Sequence, residues 1–390
     1  MRIGIDARLA HIRREGGIAQ YTLNLIQALA RLEADDYLIL HHRNASPAPW
    51  LTAIPLPVTA HADWPRSADD GRRGSPLQPR RLFTPPHHRL EQWALPAELW
   101  FMGLDVLHSP DFIPPFRRRW ASVITVHDLA FCHYPHLLTR ESAAYYGQVR
   151  RAVASAERVI AVSEATRRDI VNLLDGDEER IAVIYEAADP LCRPLDDPLA
   201  IQQVLAQHGL SQPFALFVGT IEPRKNISLL IRAFQRLSRR GVKAQLVIAG
   251  RRGWLADEVF ALAGQLGLGD QVKFIGALSR PELVGLYNAA RLLVLPSLYE
   301  GFGLTALEAM ACGTPVVVSN VSSLPEVVGD AGLTVDPQDE AGLAEAMRRL
   351  LEDDALRDSL REAGLQRAQR FSWERAARET LDVYHQAAAR

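Results

Sequence analysis

The sequence predicts an α/β protein with two facing Rossmann-like domains and an active site in the cleft between them. Short runs rich in Val and Ile alternate with amphipathic stretches along the chain, a pattern typical of parallel sheets covered by helices. The alternation pauses once, across Ala187–Pro198, and then restarts. A chain of 390 residues is long for one domain and sufficient for two, each with its own core.

The first half contains six strand-like runs, which assign residues 1–188 to an N-terminal Rossmann-like domain. These runs are Arg2–Ala7, Tyr37–His41, Asp105–His108, Ser122–Val126, Arg158–Val162 and Arg180–Ile184.

Three proline dipeptides make the pause a predicted linker, residues 189–198, and residues 199–372 form the second domain. Its predicted strands are Phe214–Val218, Gln245–Ala249, Val272–Ile275, Leu292–Leu295 and Pro315–Val318. The last segment, 373–390, contains a predicted helix over Trp373–Ala389, and its packing back on the first domain stays open.

Bulk composition excludes several classes of protein. Hydrophobic residues make up 48% and charged residues 23%, as in an ordinary globular protein, and the net charge of −2 gives no argument for nucleic-acid binding. Cys132, Cys192 and Cys312 are scattered, which suits free thiols in a reducing compartment. The chain starts with a core-like strand and has no apolar run of about 20 residues, so we expect a cytoplasmic protein without a leader segment.

A proline- and arginine-rich excursion over residues 64–120 interrupts the α/β pattern. Arg72–Arg89 holds five arginines and no acidic residue, and Arg117–Trp120 adds a second basic cluster beside an aromatic residue. A solvated surface loop is one interpretation. The other is peripheral contact of region 72–120 with anionic headgroups or a diphosphate-linked acceptor, at the inner face of the plasma membrane.

The segment Tyr299–Glu308 carries the strongest functional signal. It follows an apolar strand, passes through Gly301 and Gly303, and opens a helix, so backbone N–H groups and the positive helix end can receive a phosphate. Glu300 and Glu308 frame this turn, and carboxylates accept hydrogen bonds from hydroxyls. A ligand with both a phosphate and a polyol, such as a nucleotide sugar, satisfies both features. A plain tight turn with a solvated Glu308 is the simpler alternative.

Arg224 and Lys225 follow the strand that ends at Gly219 and open the predicted helix Ile227–Arg239. A cation at a helix start opposes the helix dipole, so local stability does not explain this pair. The two cations can neutralise the charge on a departing diphosphate. A solvated pair, or one that serves Glu222, is the alternative.

The first half offers weaker candidates. Gly16 and Gly17 precede a predicted helix, Ala19–Leu32, and permit a ligand to approach the backbone, although a loop role alone is equally compatible. His127 follows the strand Ser122–Val126 directly, so it can bond a sugar hydroxyl or move a proton, or be a satisfied core histidine. Ser163 is predicted to be only the N-cap of the next helix.

Other constellations are not assigned to a site. Asp175 and Asp177 form an Asp-x-Asp motif in a charged turn that we expect to be solvated, and the His-His pairs lack the spacing of a zinc site. No Gly-x-Gly-x-x-Gly follows the first strand, which argues against a nicotinamide dehydrogenase. We therefore predict no metal and no cofactor.

Together these motifs resemble the retaining family-four glycosyltransferases, whose fold is the two-domain GT-B type. The resemblance spans the chain and rests on Gly16–Ile18, Val126–Leu129, Phe217–Asn226 and Glu300–Val317. The last segment contains the family's glutamate-x7-glutamate signature, Glu300 and Glu308, which is highly specific.

The resemblance implies roles for these positions. Glu308 would hold the donor ribose, Glu300 the transferred sugar, and Arg224 with Lys225 the diphosphate, with His127 near the reacting carbon. Further donor contacts are implied for Gly17, Gly219, Gly301, Phe302, Gly303 and Leu304, and the base pocket is assigned to Ile275, Gly276 and Leu278. The N-terminal domain would be the acceptor side, and transfer would be retaining and metal-independent.

The Gly-Gly-Ile opening and the pattern from His127 to Pro135 are most similar to bacterial mannosyltransferases. The favoured expectation is transfer of mannose from GDP-mannose to a glycan or lipid-linked acceptor in surface polysaccharide synthesis. The alternatives are a UDP-sugar-dependent transferase of glucose or N-acetylglucosamine, a sugar-nucleotide epimerase, and a non-catalytic nucleotide-sugar binder.

Overall fold

A computed structural model describes residues 1–12, 16–32, 35–43, 77–88, 90–135, 143, 145–253 and 255–389. The chain divides into two compact units. Unit 1 comprises Met1–Glu186 together with Trp373–Arg390, and unit 2 comprises Ala187–Ser372. Each unit is built around its own parallel sheet, so the predicted α/β fold class is confirmed.

Unit 1 contains a seven-stranded sheet of order β3-β2-β1-β4-β5-β6-β7. Its strands are β1 (Arg2–Asp6), β2 (Asp36–His42), β3 (Leu77–Leu82), β4 (Val106–Ser109), β5 (Ala121–Val126), β6 (Arg158–Ala161) and β7 (Ile181–Val183). The central strands are buried on both faces, which is why their sequences are nearly continuous apolar runs.

The helices of unit 1 within the described ranges are α1 (Arg8–Ile12), α2 (Gly17–Ala30), α3 (Glu91–Leu99), α4 (Ala130–His133), α5 (Val149–Ser155) and α6 (Glu164–Leu174). Ser163 caps α6 by accepting a hydrogen bond from the Thr166 amide, as the sequence predicts.

Unit 2 contains a six-stranded sheet of order β10-β9-β8-β11-β12-β13. The strands are β8 (Phe214–Val218), β9 (Gln245–Ala249), β10 (Val272–Gly276), β11 (Leu292–Leu295), β12 (Val316–Ser319) and β13 (Leu333–Val335). The helices are α7 (Pro198–Gln207), α8 (Ile227–Arg239), α9 (Ala256–Gln265), α10 (Arg280–Ala289), α11 (Leu304–Ala311), α12 (Leu324–Val328), α13 (Glu340–Glu352) and α14 (Asp354–Ala368).

The C-terminal helix α15 (Trp373–Ala388) packs on α2 and on β4 to β6 of unit 1. A buried polar chain joins it to the sheet: Tyr384 Oη lies 2.7 Å from His108 Nδ1, and His108 Nε2 lies 2.7 Å from Thr125 Oγ1. Burial lowers the pKa of His108 to about 3, so the ring is neutral at physiological pH.

Two edge strands, β3 and β13, escape the sequence pattern. Strand β3, at the edge beside β2, reads Leu-Gln-Pro-Arg-Arg-Leu and exposes Pro79, Arg80 and Arg81. A proline and charged side chains are tolerated at a sheet edge, and so no apolar run marks this strand. Part of the arginine-rich excursion is therefore part of the sheet, whereas residues 64–76 and Arg89 lie outside the described residues.

Small boundary errors have local causes. The predicted strand Arg180–Ile184 shortens to β7 because Glu178–Arg180 forms a 3₁₀ turn capped by Asp177.

No helix in the described ranges combines the length and the apolarity that crossing a bilayer requires. Cys132, Cys192 and Cys312 are all free thiols.

Candidate active site

Two loops at the carboxyl edge of the unit 2 sheet carry the principal candidates. Strand β8 leads to a 3₁₀ turn, Pro223–Lys225, and β11 leads to the loop with Glu300. Strands β8 and β11 are parallel neighbours, so their carboxyl ends lie side by side, where ligands bind in open α/β sheets. A hydrogen bond from Leu298 N to Arg224 O, 2.8 Å long, joins the two loops.

Glu300 lies at the centre of a buried ion cluster. Its Oε1 is 2.7 Å from Lys225 Nζ and accepts a hydrogen bond from Ser297 Oγ at 2.6 Å, while its Oε2 is 3.4 Å from Arg224 Nη1. Only 7% of Glu300 is exposed. The loop after β12 fixes its backbone, because Ser322 Oγ accepts from Glu300 N and Ser323 Oγ donates to Glu300 O.

The charges of this cluster cancel. Arg224 Nη2 also lies 2.8 Å from Glu222 Oε1, so two carboxylates face two cations. Burial alone would raise the pKa of the Glu300 carboxyl, but Lys225 and Arg224 outweigh it and hold that pKa below its ordinary value. Glu300 is therefore ionised at neutral pH and can accept hydrogen bonds from hydroxyl groups.

The glycine turn that follows is sterically determined. Gly303 has φ +99°, a left-handed backbone conformation that favours glycine, and a Cβ atom there would lie 2.7 Å from Leu324 Cδ2. Phe302 is buried, and α11 begins at Leu304 without a capping side chain at Gly303. Gly301 completes the backbone between Glu300 and this helix start, where N–H groups suit an anion.

Glu308 is held by a second set of partners. Arg280 Nη2 lies 2.6 Å from Glu308 Oε1, and the Tyr287 hydroxyl donates to Glu308 Oε2 at 3.1 Å. Burial raises the pKa of Glu308, and Arg280 only partly offsets this effect. Arg280 also lies 3.0 Å from Asp189 Oδ2, so one guanidinium bridges two carboxylates.

The remaining unit 2 candidates follow neighbouring strands. Gly219 directly follows β8 and lies so close to Gly250, which follows β9, that a Cβ atom at Gly250 would lie 1.8 Å from Gly219 O. Ile275 and Gly276 end β10, and Leu278 precedes Arg280 by two residues. The segment assigned to the nucleotide base therefore leads directly to Arg280, the partner of Glu308.

In unit 1, His127 directly follows β5 and is anchored at both ring nitrogens. Its Nδ1 lies 2.9 Å from Glu186 Oε1, and its Nε2 lies 3.0 Å from Pro110 O. Tyr21 packs edge-on, with ring centres 4.7 Å apart. This geometry favours a positioning role over that of a general base.

Gly17 begins α2 and stands at an open position. A Cβ atom built on it would have no protein atom within 4 Å. Gly16, the N-cap, provides no side-chain cap, and the first turn carries no acidic residue. Steric demands of the described structure therefore do not require glycine at position 17.

Sequence reasoning missed four partners: Arg280, Tyr287, Ser297 and Glu186. Arg280 carried a usable signal, since a cation in the first turn of a helix opposes the dipole, as at Arg224 and Lys225. Tyr287 lies two turns further along that helix. Nothing in the sequence marks Ser297 or Glu186.

The described ranges contain no group of three His, Cys, Asp or Glu side chains able to hold a metal ion. Asp175 and Asp177 lie in a turn where their side chains are 84% and 52% exposed and pair with Arg150 and Arg180.

Two family models match the chain. Residues 15–190 match the one described as Glycosyltransferase Family 4, and residues 203–367 match Glycosyl transferases group 1. The chain is 35% identical to O-antigen chain mannosyltransferase B of Escherichia coli, over 94% of this chain and 95% of that protein. It is 37% identical to a D-inositol 3-phosphate glycosyltransferase of Nocardioides sp., over 80% and 77%.

Solved structures match over the whole chain. Sucrose-phosphate synthase from Thermosynechococcus elongatus superposes with a TM-score of 0.76 at 23% identity, covering 100% of this chain and 99% of that one. Anabaena Alr3699/HepE, solved in complex with UDP and glucose, gives a TM-score of 0.72 at 20% identity, with 98% of each chain covered. At these identities the likeness establishes the fold alone.

Proposed function

The chain belongs to glycosyltransferase family 4, and we propose that it transfers mannose from GDP-mannose to a glycan or lipid-linked acceptor in surface polysaccharide synthesis. The 35% identity to an O-antigen chain mannosyltransferase over nearly the full length supports mannose as the sugar. A second relative, WbdA of Escherichia coli, is also described as a mannosyltransferase.

The observation that carries the proposal is the Arg224–Lys225–Glu300 cluster beside the glycine turn. Two cations next to an uncapped helix start provide a seat for a diphosphate, and the ionised Glu300 provides an acceptor for sugar hydroxyls. We assign the diphosphate to Arg224 and Lys225 and the transferred sugar to Glu300. Backbone contacts to sugar and phosphate are assigned to Phe302, Gly303 and Leu304.

We assign the ribose to Glu308. Arg280 and Tyr287 orient its carboxylate, and a buried carboxylate held in this way accepts hydrogen bonds from a vicinal diol with defined geometry. The base would lie against Ile275, Gly276 and Leu278, next to the helix that provides Arg280.

We propose a retaining, metal-independent reaction. The acceptor hydroxyl would attack on the face from which the diphosphate departs, and a donor phosphate oxygen would take its proton. Lys225 and Arg224 would stabilise the charge that grows on the leaving diphosphate. Gly17 would approach the donor phosphate or sugar through its backbone, and the doubly anchored His127 would contact the sugar near the reacting carbon.

A UDP-sugar donor is the second candidate, because Alr3699/HepE, which shares the fold, is solved with UDP and glucose. The epimerase and the non-catalytic binder predicted as alternatives have no such observation in their favour.

We also propose a peripheral membrane contact through unit 1. Trp93 is 61% exposed and Phe101 92% exposed. The guanidinium groups of Arg117 and Arg119 lie over the rings of Trp93 and Trp100, at 4.1 and 4.6 Å from the ring centres. Exposed aromatic residues beside arginines suit an anionic lipid surface. Failure of the chain to sediment with phosphatidylglycerol vesicles at low salt would refute this contact.

The donor test is the melting temperature, Tm, with EDTA present, against GDP-mannose, UDP-glucose, UDP-N-acetylglucosamine and NAD. A ligand at about 100 times its Kd stabilises the folded state by about 2.7 kcal/mol, which is readily measured. A shift with GDP-mannose alone is the expected result. A shift with a UDP-sugar instead would select the second candidate, and no shift with any nucleotide sugar would overturn the donor site.

A further inference from the structure

Glu186 differs from the other buried carboxylates of the chain in the group that it faces. It lies three residues after β7 and is 6% exposed. Burying a carboxylate is unfavourable unless it is paired. Glu186 faces the ring of His127, with its Oε1 2.9 Å from Nδ1. The other buried carboxylates that the structure describes each pair with an arginine or a lysine: Glu91 with Arg8, Asp189 and Glu308 with Arg280, Glu222 with Arg224, and Glu300 with Lys225.

We propose that Glu186 is a positioning residue, which holds the His127 ring in one orientation for the transfer reaction. The proposal rests on the proposed function, because that function assigns His127 to the sugar near the reacting carbon. Glu186 acts through the ring and does not itself need to touch a ligand. The His127 side chain is 14% exposed and that of Glu186 only 7%, so the histidine is the more accessible member of the pair.

The hydrogen bonds of the ring require a partner such as Glu186. Pro110 O, 3.0 Å from His127 Nε2, can only accept a hydrogen bond, so Nε2 carries a proton. The contact between Nδ1 and Glu186 Oε1 needs a further proton, on the ring or on the carboxyl group, because two lone pairs would otherwise face each other. Without the carboxyl group, Nε2 would be the one ring nitrogen with a partner among the described residues. The ring could then turn more freely, because the terminal torsion of a histidine side chain has broad minima.

Three further elements hold the ring in place. His127 directly follows β5, and Pro110 directly follows β4. Tyr21, in α2, packs edge-on against the ring with the ring centres 4.7 Å apart. The Tyr21 hydroxyl is itself fixed, since its Oη lies 3.1 Å from Thr125 Oγ1 in β5. Together with Glu186 after β7, these contacts fix the ring from four elements, and such preorganisation lets a side chain act on a reacting group.

The test is a double-mutant cycle on Glu186 and His127 in the full-length chain, with kcat measured as nucleotide release at saturating donor. Glu186→Ala should lower kcat about ten- to a hundredfold, because misplacing a group near the reacting atoms can cost this much. The same change should lower kcat less than about twofold in a His127→Ala background, since Glu186 acts through that ring. The KM for the donor should stay within about twofold of its value before the change in both backgrounds.

Glu186→Gln guards against a variant that fails to fold. Glutamine keeps the side-chain volume, and its amide group can donate to Nδ1 or accept from it, so this variant should retain most of the kcat that Glu186→Ala loses. Asp169→Ala is the matched control. Asp169 also lies in unit 1, and its Oδ2 is 3.2 Å from His133 Nε2, so the control removes a histidine–carboxylate contact to which no role in the reaction is assigned. It should leave kcat unchanged.

A measurement without donor examines the contact itself. The nitrogen NMR shifts of the His127 ring, read through its carbon-bound protons, should change in Glu186→Ala mainly at Nδ1. They should stay unchanged in Asp169→Ala. Unaltered ring shifts in Glu186→Ala would refute the contact.

The kinetic results can also overturn the proposal. Wild-type kcat in Glu186→Ala or in His127→Ala would do so, and so would an equal loss of kcat on Glu186→Ala with and without His127, because a structural role does not depend on that ring. A raised KM at unchanged kcat would assign Glu186 to donor binding instead. Absence of turnover in the wild type with every nucleotide sugar would refute the proposed function, and the NMR comparison alone would then decide whether Glu186 holds the ring.

Discussion

Replacing Lys225 by Ala should separate catalysis from stability. At 2.7 Å the Lys225–Glu300 attraction is about 6 kcal/mol at an effective dielectric constant of 20, before desolvation is subtracted. Removing one partner of a buried pair typically costs about 3–5 kcal/mol. Arg224 and Ser297 still compensate Glu300, so we expect a loss of about 2 kcal/mol in unfolding free energy.

Turnover should fall further. Loss of a group that stabilises charge in the transition state typically costs about 10²–10³ in kcat, or about 2.7–4 kcal/mol. The assay is nucleotide release at saturating donor, using the donor that raises Tm most. Lys273→Ala is the matched control, because Lys273 also pairs at 2.7 Å, with an almost fully exposed Asp270. Such a surface pair contributes little, so that variant should keep its Tm and its turnover.

The pH dependence identifies the cause. In the folded wild type the pKa of Glu300 is lowered, so the stability it contributes is present above the unfolded value of 4.5 and is lost as the pH falls through the folded pKa. The difference in unfolding free energy between wild type and Lys225→Ala should therefore be largest near pH 7. It should shrink as the pH falls from about 4.5 through the lower pKa of Glu300 in the folded protein. Wild-type turnover, or a difference independent of pH, would refute this reasoning.

Three further predictions follow from the structure. Gly17→Ala should leave Tm unchanged or raised, because the added methyl group meets open space. The same variant should lower turnover at least about tenfold if a ligand approaches this backbone. Gly264→Ala, which is equally unobstructed within α9, is the control and should keep wild-type turnover. Glu308→Gln keeps the side-chain volume and should raise the KM for the donor about ten- to a hundredfold with a smaller change in kcat, and an unchanged KM would remove Glu308 from the donor site. The pKa of His108 is lowered to about 3, so between pH 3 and 6.5 the unfolded chain binds more protons than the folded one. The unfolding free energy should therefore drop by about 2 kcal/mol from pH 7 to pH 5, and His108→Gln should lack this part of the decrease. An identical pH slope for the variant and the wild type in chemical denaturation would contradict this prediction.

The parts of the fold that the sequence predicts are those in which burial selects the residues. Strands β8, β9 and β11 match their predicted bounds, because both faces are buried and only apolar side chains fit. Edge strands β3 and β13 were missed, because one side of each meets solvent and imposes no pattern.

In the candidate site, too, some features could be predicted from the sequence and others could not. Arg224, Lys225 and Glu300 lie on strand-end loops whose positions follow from strand order, so their meeting could be expected. Glu186 could not be expected beside His127, because the two residues lie 59 positions apart in the chain. No local pattern in a sequence encodes such a contact.

Buried charge distinguishes function from folding in this protein. The charged side chains that the structure describes as buried are Arg8, Glu91, Glu186, Asp189, Glu222, Glu300 and Glu308. Each lies in a segment that follows the carboxyl end of a strand, or pairs with a residue that does. A fold that needed only stability would gain by replacing such groups with apolar ones. Their position beside the strand ends where ligands bind in open α/β sheets therefore argues that ligand chemistry maintains them.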